Sequence, residues 1–354
     1  MHILGIANGN IDGNSEILLK AALTAATSSD SSITTSWIHA PSVSIPRNPK
    51  PLEGTQDVSQ GFNEAFKTGQ GTDQEVADDR RAVLDAFLDA DGIIFVTPTY
   101  SHAPAGFLKA MTDRILGPFT DAVFATKMLE AKKAGDEKFK DVVIDERLFK
   151  PRVVGFLALG GSTTPDQFAL ALPMLHLIVY PLHAKVVDQA VIMACGAPGL
   201  AAIKDNGALV ERAQEMGRNV ASQLGRKFDD AKFLGDEPAG ACPYCHLAKI
   251  ELFDLTTNEI GCNTCGALGK LVVGDDGGIR PQWDQDCRMS SLTWKGKETH
   301  IADLKRNGGK EMQEIKSDLE YQKKRQYWRD VQIPLVPLPS RQSARAKING
   351  SLHS

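Results

Sequence analysis

The chain has 354 residues, of which 42% are hydrophobic and 24% are charged, and its formal net charge is −4. This composition is ordinary for a globular protein and excludes a fibrous or wholly disordered chain. No run of about 18 apolar residues occurs, so we expect no contact with a membrane through a spanning helix. The first residues lack a basic region followed by a long apolar stretch, so we predict no secretory signal and a cytoplasmic location.

Positive charge is concentrated near the C-terminus. Residues 304–354 contain eleven Lys/Arg and five Asp/Glu, so this segment carries +6 and the preceding residues carry −10. A basic tail can contact nucleic acid or an acidic partner, whereas the acidic remainder would repel a polyanion. The charge distribution alone leaves the class of partner open.

The first 225 residues alternate short apolar runs with stretches of helical periodicity. This pattern is typical of a parallel sheet with helices on both faces. Five strands are predicted, near residues 3–7, 33–38, 92–96, 153–159 and 185–190. Helices are predicted to begin near residue 15 and to cover 75–88, 104–116, 166–178 and 206–225. We therefore predict an α/β fold, a doubly wound five-stranded parallel sheet over residues 1–228, with insertions at about 41–72 and 119–150.

The remainder of the chain has a different organisation. Residues 229–240 combine mixed charges with Gly and Pro, which is typical of a linker. Residues 241–287 contain two cysteine pairs between β-rich segments and are predicted to form a small separate module. A helix is predicted over 300–330, and an extended tail over 331–354, where three prolines lie among small polar residues.

Three loops follow the carboxyl ends of predicted strands, where open parallel sheets bind their ligands. The first leads directly into a helix, and its candidate binding residues are Asn8, Asn10, Asn14 and Ser15. Backbone N–H groups in such a turn and the positive end of the helix attract an anion, and Asn and Ser side chains can donate to a phosphate. The same residues also suit an ordinary capped turn, so this loop alone leaves both interpretations open.

The second and third loops have the features required to hold a planar ring. Such a ring needs a flat wall, an aromatic side chain and backbone amides at its polar edge. Glycine also allows close approach of the backbone. Each loop has an ordinary explanation as well, namely a packed tyrosine or a helix cap. The candidate ring-binding residues are Pro98, Thr99, Tyr100, Ser101, His102, Gly160, Gly161 and Ser162.

These segments resemble the NADPH-dependent FMN reductase family. Residues 1–19 are similar to its opening strand, loop and helix, and residues 90–100 and 108–114 are similar to later signatures. The resemblance covers roughly residues 1–225 and implies a flavodoxin-like fold. It implies FMN, with its phosphate at the first loop and its ring against the second and third loops. It also implies NAD(P)H as reductant and a quinone, free flavin or other small electrophile as acceptor.

The first loop departs from the family pattern, because it is one residue shorter and contains no arginine. Asn8, Asn10 or Ile11 stands at the family's phosphate-facing positions, and none of them brings a charge. Charge-assisted hydrogen bonds are roughly twice as strong as neutral ones. We therefore expect either weaker FMN binding or a basic group elsewhere that compensates.

FMN would carry the hydride transfer, so the reaction requires no acid–base residue of the protein for that step. Tyr100 and His102 are the candidate catalytic residues, because they could donate a proton near the ring. A lone histidine on a loop is more often a bystander than an acid.

Two Cys-x-x-Cys pairs, separated by sixteen residues, have the spacing of a zinc site: Cys242, Cys245, Cys262 and Cys265. Each pair can place two thiolates on one ion, and two pairs complete a tetrahedron. The β-rich flanks resemble a zinc ribbon. We predict a structural zinc, for oligomer contacts or as a lid over the flavin of a neighbouring subunit. An iron centre is the alternative, although rubredoxins usually have a longer stretch between the pairs.

The leading hypothesis is an FMN-dependent NAD(P)H oxidoreductase with a C-terminal zinc ribbon, acting on a small-molecule electron acceptor as a homodimer or homotetramer. A second is a nucleic-acid-binding or scaffold protein, which would use the basic and aromatic residues of 323–329. A solvated helix explains those residues better, so we do not expect nucleic acid as a partner. A third is an FMN electron carrier without an NAD(P)H site.

Overall fold

The structure is a computed structural model that describes residues 1–46, 77–253 and 256–334. Residues 1–301 form one compact unit, and a second unit begins at Ala302. Most of the predicted excursion at 41–72 and most of the predicted tail at 331–354 lie outside the described residues. Within the described ranges, no helix has the length and apolar character needed to cross a bilayer.

The first unit is built on a central parallel sheet. Its strands are β1 (His2–Ala7), β2 (Thr34–His39), β3 (Gly92–Tyr100), β5 (Val153–Leu159) and β6 (Lys185–Ile192), with the short β4 (Ala103–Pro104) antiparallel to the end of β3. The strand order β2-β1-β3-β5-β6 is that of flavodoxin-like sheets and confirms the predicted fold. The order reverses between β1 and β3. A ligand crevice is therefore expected beyond the carboxyl ends of these two strands.

Helices cover both faces of this sheet. They are α1 (Asn14–Ser29), α2 (Arg80–Asp89), α3 (Phe107–Met111), α4 (Gly117–Phe119), α5 (Ala122–Lys133), α6 (Ala171–Val179) and α7 (Ala208–Gln223). A π-helical turn, Thr112–Leu116, joins α3 to α4. Successive side chains of β1 enter opposite cores, since Ile3 belongs to the cluster of α1 and α7, whereas Leu4 belongs to the cluster of α2 and α6.

Helices α1 and α7 pack closely because Gly217 has no side chain. A Cβ atom at Gly217 would lie 2.0 Å from the backbone oxygen of Ala22. We expect Gly217→Ala to lower the free energy of unfolding by about 3 kcal/mol, measured by urea denaturation, because overpacked cores must shift their backbone. The control is Gly106→Ala, whose Cβ would meet no atom within 4 Å. Equal stability of the two variants would contradict this packing.

An antiparallel sheet with the order β10-β9-β8-β7 follows in the same unit. Its strands are β7 (Ile250–Leu252), β8 (Glu259–Cys262), β9 (Leu268–Val273) and β10 (Ile279–Trp283). The four cysteines at 242–265 belong to the same buried cluster as residues of β1, β3 and β5. The segment predicted as a linker is packed as well, since the backbone N–H of Leu234 donates to Val187 O of β6 at 2.7 Å.

The single helix predicted over 300–330 is two helices, α8 (Trp294–Ser317) and α9 (Tyr321–Asp330). Lys297, in the first turns of α8, is 2% exposed. Its ammonium group donates to Tyr180 O, and it lies 3.2 Å from Nδ1 of His183. Burial lowers the pKa of Lys297 to about 7. These contacts fix the start of α8 to the segment that follows α6.

Candidate functional site

The first loop joins β1 to α1 beside the point where the strand order reverses. Asn8 is buried, and its Nδ2 donates to Thr97 Oγ1 and to Ala105 O, each at 2.9 Å. This side chain therefore ties the first loop to the second. Its other amide atom, Oδ1, is buried without a hydrogen-bond partner among the described residues. Because a buried acceptor without a donor is costly, Asn8 Oδ1 suits a ligand that can donate.

The other candidate residues of the first loop differ in their roles. Asn10 is exposed. Asn14 is buried, and its side chain bonds the loop after β6, donating to Ala197 O at 2.9 Å and accepting from the Ala201 N–H at 3.0 Å. Ser15 is buried beneath Gly9, where an added Cβ would lie 2.8 Å from Ser15 Oγ.

The start of α1 offers backbone donors rather than the Asn14 side chain. The first intrahelical hydrogen bond runs from the Ile17 N–H to Gly13 O. The N–H groups of Asn14, Ser15 and Glu16 are therefore left without an intrahelical acceptor. An anion at this end of the helix would meet these three donors and the positive end of the helix dipole.

The second loop contains a tight turn between β3 and β4. Ser101 and His102 form its corner with φ values of 49° and 70°, in the left-handed region that such two-residue turns require. Tyr100 is 60% exposed, so its ring is not buried against a neighbour. The hydroxyl of Thr99 is buried without a partner among the described residues, and Pro98, which precedes Thr99 in β3, is half-buried.

His102 is oriented by one hydrogen bond. Its Nδ1 lies 2.9 Å from Asp166 O, and the Leu170 N–H donates to His102 O at 3.1 Å. Because a carbonyl oxygen can only accept, Nδ1 carries the proton. In the neutral ring, Nε2 is then an acceptor, so His102 can act as an acid only as the imidazolium ion.

The third loop is held by close backbone packing. A Cβ on Gly160 would lie 2.9 Å from the ring of Phe168, and one on Gly161 would lie 3.3 Å from Gly196 Cα. Ser162 Oγ lies 3.2 Å from the Thr164 N–H, and Ser162 O accepts from the Ala194 N–H at 2.8 Å. The loop after β6, which contains Ala194 and Gly196, therefore borders the site as a fourth loop. Sequence analysis did not include it.

Together these features fit a phosphorylated planar cofactor. The open N–H groups at the start of α1 suit a phosphate. Two buried oxygen atoms, the acceptor Asn8 Oδ1 and the hydroxyl Thr99 Oγ1, have no hydrogen-bond partner among the described residues. An exposed aromatic side chain, Tyr100, lies at the end of β3. The nearby acid Glu16 is offset by Lys20, whose ammonium group lowers the pKa of the carboxyl, as does the Asp12 N–H.

The four predicted metal ligands are brought together by the second sheet. All four cysteines are buried, and their sulfur atoms lie within 4.8 Å of one another. Sγ of Cys242 is 3.6 Å from Sγ of Cys265, and Sγ of Cys245 is 3.4 Å from Sγ of Cys262. A tetrahedral zinc with Zn–S bonds of about 2.3 Å separates its sulfur atoms by roughly 3.8 Å. The cluster therefore has the dimensions of a tetrahedral thiolate site.

The two cysteine pairs have matching turns. The residue after each second cysteine, His246 or Gly266, has a positive φ, 58° or 75°, and its N–H donates to the first cysteine's carbonyl. Gln189 of β6 links the first turn to the parallel sheet. Its Nε2 donates to Cys245 O at 2.9 Å, and its Oε1 lies 2.8 Å from Nε2 of His176.

The family model of NADPH-dependent FMN reductases matches residues 1–198. The chain belongs to this family. A curated relative, flavone synthase cfoJ from Aspergillus candidus, is 33% identical over 313 residues, which cover 86% of this chain and 88% of the relative. A solved structure of a flavone reductase aligns with a TM-score of 0.71 and 25% identity, covering 96% of this chain and all of that one. That match includes the second sheet.

The chain is therefore an NAD(P)H-dependent flavin oxidoreductase, which confirms the predicted family and enzyme class. FMN and NAD(P)H are the cofactors of the family. The four-cysteine cluster is present as predicted.

Proposed function

We propose that this enzyme binds FMN in the crevice between β1 and β3 and uses NAD(P)H to reduce a small electrophilic acceptor of the flavone type. The supporting observation is the convergence of the first and second loops on this crevice. Asn8 ties the loops together and leaves an acceptor, Oδ1, without a donor. The phosphate would contact Asn10 and Ser15 and the backbone of Asn14. The ring would lie against 98–102 and 160–162.

The acceptor class is proposed from the solved flavone reductase, whose name makes a flavone the compound that is reduced. The name of the curated relative, a flavone synthase, makes a flavone the product. A flavone contains an α,β-unsaturated ketone conjugated to aromatic rings. Its reduction adds a hydride to the β-carbon and a proton to the α-carbon, and bound FMN would supply the hydride chemistry. Quinones and free flavins are planar electrophiles of similar size and remain alternative acceptors.

The protein's part in such a reduction is to orient the acceptor and to supply a proton. Tyr100 offers an exposed ring for stacking and a phenolic O–H as donor. His102, with Nδ1 committed to Asp166 O, presents only Nε2. We therefore assign the proton donor to Tyr100, with His102 as a neighbouring acceptor of hydrogen bonds.

The test begins with the visible spectrum of the purified protein, in which flavin absorption bands are expected. NADPH and NADH are then supplied separately with a flavone, a naphthoquinone or free FMN, and consumption of the nicotinamide is followed. Flavone-dependent consumption with formation of the dihydro product supports the proposal. Bound flavin that neither nicotinamide reduces would favour an electron carrier without an NAD(P)H site, and a protein that takes up no flavin would refute the proposed site.

Positive charge in the first loop should tighten FMN binding. Ile11 is 67% exposed, and Ile11→Arg would restore a cation of the family pattern. We expect the FMN dissociation constant to fall about fivefold at low salt and the gain to shrink at high salt. Asn10→Asp should have the opposite effect. The control is Ile279→Arg, at a similarly exposed position of β10. Tighter binding in the control as well would show a non-specific effect.

We further propose that the four cysteines hold a structural zinc ion and that the enzyme is a homodimer or homotetramer. Four thiolates at tetrahedral spacing favour zinc or iron. We favour zinc because the proposed reaction transfers its electrons through the flavin and requires no redox-active metal. Metal analysis identifies the ion directly. Visible absorption gives a second test, since thiolate-bound iron absorbs visible light and zinc does not. Light scattering of the purified protein measures the number of subunits.

A further inference from the structure

A histidine of β2, His39, is hydrogen-bonded to the first loop. His39 is the last residue of β2 and pairs with Ala7, the last residue of β1. Its Nε2 lies 2.7 Å from the backbone oxygen of Gly9, and its Nδ1 lies 2.6 Å from Ser42 Oγ. The ring therefore bridges the loop after β1 and the turn after β2.

The partners of His39 determine its tautomer. Gly9 O can only accept a hydrogen bond, so Nε2 must carry a proton. Nδ1 can then accept from the Ser42 hydroxyl in the neutral ring, or donate to it in the charged ring. In both states the bond to Gly9 is kept.

This bond sets the direction of the next N–H group. In a trans peptide the C=O and N–H point in opposite directions, so drawing Gly9 O toward β2 turns the Asn10 N–H away from β2. Strand β1 lies between β2 and β3, so this N–H is directed to the β3 side, where the strand order reverses. The Asn10 N–H has no acceptor among the described residues.

We propose that His39 is a positioning residue for the flavin phosphate, which it serves by holding the peptide between Gly9 and Asn10 with its N–H facing the crevice. The inference rests on the proposed function. The first loop contains no arginine, and this arrangement would supply the phosphate with an oriented backbone donor in place of a cation. His39 also lies near enough to Glu16 to contribute to the lowered pKa of that carboxyl, after the larger effects of Lys20 and the Asp12 N–H.

The chain contains a matched control at the opposite end of the same strand pair. His2 of β1 also makes two side-chain hydrogen bonds, to Thr34 Oγ1 at 2.9 Å and to Ser36 Oγ at 2.8 Å. It therefore bridges β1 and β2 as His39 does, but at the ends of the strands remote from the crevice. Substitution of either histidine removes hydrogen bonds that connect β1 or its loop to β2. Only substitution of His39 should weaken binding of the flavin phosphate.

The experiment measures binding of FMN and of riboflavin, which lacks the phosphate, to flavin-free full-length protein by quenching of flavin fluorescence. We expect His39→Ala to weaken FMN binding about tenfold and to leave riboflavin binding within about twofold, because the loss concerns the phosphate. His39→Gln, whose amide N–H can replace Nε2–H, should recover most of the FMN affinity. His2→Ala should leave both dissociation constants unchanged.

The outcomes are separable. Equal weakening of FMN and riboflavin in His39→Ala, or unchanged FMN binding, would overturn the role of His39. If His39→Ala does not fold, His39→Leu replaces it, because leucine fills similar space and has no side-chain N–H. A ratio of affinities shifted toward riboflavin then supports the inference, and a wild-type ratio overturns it. Failure of the wild-type protein to bind either flavin would instead overturn the proposed function on which the inference rests.

Discussion

Replacement of Cys245 by serine is expected to abolish stoichiometric metal binding and to lower the free energy of unfolding by at least about 3 kcal/mol. The four sulfur atoms are buried, and the cluster shares a core with the parallel sheet. A structural zinc ion contributes its binding energy to folding, so losing one ligand removes much of that contribution. Gln189 would also lose the fixed carbonyl of Cys245 to which it donates at 2.9 Å.

Metal content by elemental analysis and stability by urea denaturation measure these effects. The matched control is Cys287→Ser. Cys287 is also buried beside the second cysteine pair, and its Sγ accepts from the Leu268 N–H at 3.3 Å, but it is not one of the four clustered thiols. We expect this variant to keep one metal ion per chain and to lose about 1 kcal/mol of stability or less. A Cys245→Ser variant with full metal content would contradict the assigned ligand set.

Tyr100→Phe is expected to lower the turnover number about 100-fold while the FMN dissociation constant changes little. General acid catalysis by a positioned side chain contributes about 10²–10⁴-fold, and phenylalanine keeps the ring while removing the proton. Tyr100 is exposed at the turn between β3 and β4, so the substitution leaves no buried polar group unpaired. Its effect should therefore be confined to the chemical step.

Rapid-mixing kinetics separates the two half-reactions. Reduction of bound flavin by NADPH should keep its wild-type rate in Tyr100→Phe, whereas transfer to the flavone should slow. Tyr327→Phe is the control, because Tyr327 is similarly exposed but belongs to α9. If both half-reactions of Tyr100→Phe slow equally, or neither does, the proton donor is another group.

The local pattern of the sequence was sufficient to predict the five long strands of the parallel sheet in their order along the chain. Apolar runs such as 92–96 and 153–159 mark buried strands by themselves, because both faces of a central strand are covered. The close spacing of the cysteines likewise predicted one cluster, since each pair lies within a single turn. These features depend on residues only a few positions apart.

Tertiary structure alone decides which polar side chains are engaged within the fold and which groups are left open to a ligand. Asn14 suits a phosphate in the sequence, yet its amide bonds Ala197 and Ala201, which follow β6. His39 carries no binding motif, yet parallel pairing of β1 with β2 brings it to Gly9. Such partners lie far apart along the chain. Strand register and packing set their contacts, and no local pattern of residues encodes either.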